Sequence, residues 1–108
     1  MNATAPPTAT ESELRVIGAL LHEPDRIPET TKALRADDFV DPFNAVAFST
    51  LDQMQQEGIP VDGATVKSQL YATGKFDGQL TPAVYIYQAF KSVPGSANLN
   101  HHAFKVHE

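Results

Sequence analysis

Apolar residues recur along this chain at helical spacing. Leu14, Ile17, Gly18 and Leu21 fall on one face of a first helix, and Val16 and Leu20 widen it. Thr10 followed by Glu11 and Glu13 reads as the start of that helix: a capping hydroxyl, an acid at the third position, then apolar periodicity. The helix is predicted to end near residues 22–24. Gly18 costs about 1 kcal/mol against alanine in a helix interior, so its place in the stripe implies that another helix packs closely there.

The same logic carries through the chain. Residues 27–35 read as a short second helix with Ile27 and Leu34 inward. Asp37-Asp38-Phe39-Val40-Asp41-Pro42 is a turn with two apolar anchors. A third helix follows, in which Phe43, Val46, Ala47, Leu51 and Met54 keep helical spacing, Phe48 joins the stripe and Gly58 closes the end. Ile59-Pro60-Val61 is extended. Asp62 caps a fourth helix running to about Thr73, and Gly74 ends it. Thr81-Pro82 matches a cap followed by proline at the first helical position, opening a fifth helix with Val84, Tyr85, Ile86, Tyr87 and Phe90. After a turn at Pro94-Gly95-Ser96, Leu99, His102, Ala103 and Val106 sit at i, i+3, i+4 and i+7 of a last helix.

The expected fold is all-α: a compact bundle of five to six short helices around one core. Phe39, Phe43, Phe48, Leu51, Leu70, Tyr85 and Phe90 are the expected core members. Residues 1–10, MNATAPPTAT, are too polar and proline-rich to pack, and read as a disordered leader to a helical domain over 11–108. At 108 residues the chain has room for one domain.

Composition narrows the function. The formal net charge is −5 and the 8 basic residues are scattered, which disfavours nucleic-acid binding by this domain. No cysteine is present, so neither a disulfide framework nor a thiolate metal site is available, and a reducing cytoplasm fits. No apolar run approaches the roughly 20 residues of a membrane span, and the first residues lack the pattern of a secretory signal.

Candidate chemistry is sparse. The glycines are dispersed and none leads into a Gly-Lys-Ser/Thr triplet, so nucleotide hydrolysis is not expected. No Gly-x-Ser-x-Gly elbow exists. No cofactor and no metal site is expected. His101, His102 and His107 invite a metal reading, but His101 and His107 lie six apart, where one helix face would need i and i+4; surface and core roles are favoured, with His102 on the core stripe. Asp37, Asp38 and Asp41 lack EF-hand spacing, and turn and capping duty explains them better. Tyr85, Tyr87 and Phe90 could stack on bases, yet without interleaved basic residues core packing is favoured. Tyr85 and Tyr87 sit about 200° apart on a helix, so one of them faces solvent and is a protein-contact candidate. Glu11 and Glu13 read as complements to the helix dipole.

Taken in order, these pieces resemble the N-terminal domain of DnaB-family replicative DNA helicases. Glu11-Ser12-Glu13 and Val16-Ile17-Gly18-Ala19-Leu20-Leu21 are similar to the family's opening. Asp38-Phe39 nine residues before Phe48, Pro60-Val61-Asp62 with Thr65-Val66, Tyr85, and Pro94 with Ser96-Ala97-Asn98-Leu99, Ala103 and Val106 resemble its later segments. Val40 stands where tyrosine is usual, Asn44 where histidine is usual, Thr81-Pro82 in place of Gly-Gly and His102 in place of tyrosine. These departures mark a divergent member.

The resemblance implies an assembly and protein-interaction domain of a hexameric helicase. Such a domain forms a collar on the ring and helps to recruit primase and, in some systems, a loader. ATP and Mg²⁺ are then expected only in a separate C-terminal ATPase domain, past a helical hairpin that this chain does not reach. By the same resemblance Glu11 and Tyr85 occupy positions on the primase-facing side, alongside their helix-cap and core readings. The alternatives are a free-standing protein with this domain that regulates a helicase, the related helical bundle of primase, and a nucleic-acid-binding module.

Overall fold

The computed structural model describes residues 9–76 and 80–107. Its α-helices run in the order α1 (Ala9–His22), α2 (Ile27–Ala33), α3 (Pro42–Gln56), α4 (Gly63–Thr73), α5 (Pro82–Lys91) and α6 (Leu99–His107), with 3₁₀ turns at Pro24–Arg26 and Ala36–Asp38. No strand occurs among the described residues. The fold is the all-α bundle that the apolar periodicity predicts.

Local chemistry sets most helix ends. Asp41 caps α3, its carboxylate accepting from the amides of Phe43 and Asn44, and Pro42 takes the first helical position. At the other end Gly58 has φ +73°, the Gly58 amide donates to the Gln55 carbonyl and the Ile59 amide to that of Met54. That pair of bonds satisfies carbonyls the helix would otherwise leave bare. Asp62 and Thr65 cap α4 reciprocally, and Thr81 accepts from the Val84 amide to open α5.

The start of α1 departs from expectation. The helix begins at Ala9, so Thr10 lies within its first turn and does not cap it. Residues 9 and 10, assigned to the leader, are therefore helical; the remainder of the leader, residues 1–8, lies outside the described residues. Packing accounts for the shift. Ser12 and Glu13 are already buried, so neighbouring elements hold the first turn.

Helix α1 is the centre of the bundle and packs against α3, α5 and α6. Val16, Ile17, Ala19 and Leu20 are all buried, so more than one face of α1 meets protein. Phe48, Leu51 and Met54 from α3 and Leu70 from α4 complete the interior with Leu99 and Val106 from α6. Gly18 is where α5 comes closest: a Cβ placed there would lie 2.0 Å from the Ala89 carbonyl oxygen. Only a residue without a side chain admits that approach.

The same approach corrects one core assignment, and the edge of the core at α3 corrects another. Helix α5 has apolar residues on opposite faces, and the inward face carries Pro82, Tyr85 and Ala89. Small Ala89 fits opposite Gly18; Phe90, next along, is turned outward and 47% exposed. Phe90 stacks instead on His22, with ring centroids 3.8 Å apart. Phe43 is half-buried at the edge of the core, against Phe76. The remaining predicted core residues, Phe39, Phe48, Leu51, Leu70 and Tyr85, are buried.

Candidate docking surface

Glu11 and Tyr85 come together in space. Both line a shallow depression of about 250 Å³ between α1, α3 and α5, with Leu14, Phe43, Leu80 and Asn44. They differ in what they offer. Glu11 is exposed at the rim. Tyr85 is 3% exposed, and its hydroxyl donates to Asn44 Oδ1 at 2.6 Å. Burial pushes the Tyr85 phenol well above its ordinary value of 10.0, and the Asp41 and Glu13 charges push the same way. The phenol therefore stays protonated and keeps its donor role.

Asn44 links Tyr85 to Glu13. Its amide nitrogen donates to Glu13 Oε1 at 3.2 Å. A carboxylate can only accept, so Glu13 sets the amide with Nδ2 toward it, and Oδ1 is left to accept the Tyr85 proton. Glu13 also accepts from the backbone amides of Val40 at 2.6 Å and Asp41 at 3.1 Å. A fully buried carboxylate thus fastens α1 to the turn that begins α3. The helix-dipole role read for Glu13 is replaced by this one. The sequence carries no signal for it, because every partner lies 27 or more residues away.

A second concavity lies on the other side of α5. It has a volume of about 500 Å³ and is lined by Leu21 of α1, Ala64 and Lys67 of α4, and Ala83, Ile86, Tyr87 and Phe90 of α5. Tyr87 is 62% exposed, so the pair 85/87 divides as the helical angle requires: one inside, one outside. Lys91 reaches over the Tyr87 ring, its Nζ 5.2 Å from the ring centroid.

The acidic and histidine clusters resolve into separate duties. Asp41 caps α3, and Asp38 accepts from the Arg35 amide. Asp37 is exposed. His107 lies 3.8 Å from Asp38, while His101 and His102 meet edge to face at 5.5 Å. Among the described residues, no three or more His, Asp or Glu side chains are grouped to hold a metal ion. No helix there is long and apolar enough to cross a membrane.

His102 is half-buried, and burial holds its imidazole below the ordinary 6.5, with the charges of Arg15, His101 and Lys105 acting in the same direction. Between that lowered value and 6.5 the unfolded chain binds more protons than the folded one, so stability rises with pH across the window. The contribution is complete above 6.5 and is lost as pH falls through the window. Urea unfolding at about pH 7.5 and about pH 5.5 should show a smaller acid loss in His102→Asn than in the parent; equal losses would refute the assignment.

These features define a small helical-bundle domain built on a central first helix, with its buried polar groups satisfied internally among the described residues. The chain belongs to the DnaB-like helicase N terminal domain family, whose model matches residues 5–108. It is 32% identical to the replicative DNA helicase DnaB of Rhodothermus marinus over 98 residues, covering 91% of this chain and 10% of that protein. It is 29% identical to the replicative DNA helicase DnaC of Bacillus subtilis (strain 168), over 100% of this chain and 24% of that protein. The chain therefore spans a quarter or less of these relatives. A crystal structure of the N-terminal domain of DnaB helicase from Mycobacterium tuberculosis is similar with a TM-score of 0.83 and 28% identity, over 94% of this chain and 69% of that one.

Proposed function

We propose that this domain serves assembly and docking in a hexameric replicative DNA helicase, supporting the collar of the ring and recruiting primase. The match of nearly the whole chain to the N-terminal domains of replicative helicases carries the proposal. The structure is compatible with such a role: the carboxylate, amide and phenol of Glu13, Asn44 and Tyr85 are committed to one another, and apolar side chains remain on the surface. ATP and Mg²⁺ then act in a separate ATPase domain. On this proposal Glu11 offers its carboxylate to the partner from the rim of the depression, and Tyr85 shapes the floor by holding Asn44.

Calorimetric titration of the cognate primase C-terminal domain into this domain should give a saturable heat. Absence of heat at high concentration, with the hexamer context restored, overturns the docking role. Sedimentation of the same hexamer tests the collar role, since removal of this domain should weaken the ring.

A further inference from the structure

We propose that the groove between α4 and α5 is a second docking site, separate from the Glu11 depression, and that its occupant is an acidic amphipathic helix of a protein partner. Ala83, Ile86, Tyr87 and Phe90 fall at i, i+3, i+4 and i+7 of α5 and all line the groove. That spacing is the seam one helix presents to another. The inward residues of α5 are Pro82, Tyr85 and Ala89, so this stripe is a second apolar face; Ile86 leans on the core and Phe90 on His22, and much of the rest is left exposed by the described residues. Tyr87 and Phe90 are 62% and 47% exposed. Leu21, Gly63 and Ala64 complete the walls of an apolar trough of about 500 Å³, the kind of groove into which an amphipathic helix lays its apolar face.

Charge selects the occupant. The chain carries 13 acidic residues against 8 basic, yet α4 and α5 contain no Asp or Glu. Their cations border the groove: Lys67 lines it, and Lys91 lies over the Tyr87 ring. A helix with Glu or Asp flanking its apolar seam meets both lysines favourably. A second copy of this chain does not, because a twofold contact through this face brings Lys67 and Lys91 of both copies into one interface with no Asp or Glu from α4 or α5 to offset them. At Gly63, which lines the groove, an added Cβ meets nothing within 4 Å, so a side chain placed there has room to enter the groove.

The test uses fluorescein-labelled peptides of about four helical turns, with leucine at i, i+3, i+4 and i+7 and glutamate on the flanks, or lysine in a matched control. Fluorescence anisotropy should show saturable binding of the acidic peptide that weakens with salt. The lysine control should bind at least about tenfold more weakly. The double variant Lys67→Glu/Lys91→Glu should reverse that preference, and Gly63→Trp should abolish binding of both peptides, with circular dichroism unchanged. Equal binding of the two peptides, or binding insensitive to these variants, overturns the proposal. So does a concentration-dependent dimer that Gly63→Trp dissolves, or an oligodeoxythymidine that binds this face in place of the peptide. Primase docking that survives the groove variants leaves the proposed function standing and is judged by its own titration.

Discussion

Replacing Glu13 by alanine should lower the free energy of unfolding by on the order of 3–5 kcal/mol, among the largest effects of any single change in this domain. The side chain is fully buried and accepts three hydrogen bonds, from the amides of Val40 and Asp41 and from Asn44 Nδ2. Each donor left without a partner costs roughly 1–3 kcal/mol, and the cavity adds to that. The comparison with Glu13→Gln identifies the cause. Glutamine keeps the shape but turns an amide NH₂ toward donors, so it should recover less than half of the loss. Urea unfolding monitored by circular dichroism reads both. A Glu13→Ala loss under about 1 kcal/mol, the worth of an ordinary exposed cap, would show that the carboxylate acts only on the helix dipole.

Gly18→Ala should destabilise the fold by about 1–3 kcal/mol, although alanine is the better helix former by about 1 kcal/mol. The added Cβ would stand 2.0 Å from the Ala89 carbonyl oxygen and 2.9 Å from Ser92 Oγ. The serine can rotate away; the carbonyl is part of the α5 backbone and cannot. Helix α5 would have to move off α1, loosening the contact that turns Ala89 inward and Phe90 outward. A Gly18→Ala variant as stable as the parent would mean that this approach is not a close one. Gly63→Ala is the internal control, because its Cβ has open space.

How far the sequence reached depends on the distance over which each feature is encoded. The stripe at Leu14, Ile17, Gly18 and Leu21 located α1, and the glycine in it announced a close neighbour. It could not name the neighbour as α5. Phe90 looked like a core residue because it shares a short helix with Tyr85, and apolar residues on both faces of that helix give no rule for which face turns in. The packing of Ala89 on Gly18 made the choice. His102 sat on a recognisable core stripe and is half-buried. Asn44 stood out as a departure from the family pattern, and its position between Glu13 and Tyr85 shows the work it does here.

By itself the sequence determined the helical class, the order of the helices, the caps at Asp41, Asp62 and Thr81, and the family. All of these are written in residues a few positions apart, where the chain's own connectivity holds partner to partner. Tertiary structure alone decided the joining of Glu13, Asn44 and Tyr85, residues 31 and 41 positions apart, and which face of α5 is exposed among the described residues. Those depend on how the helices lie against one another. That is settled by side-chain volumes meeting across the core, a relation between distant positions that no local spacing records.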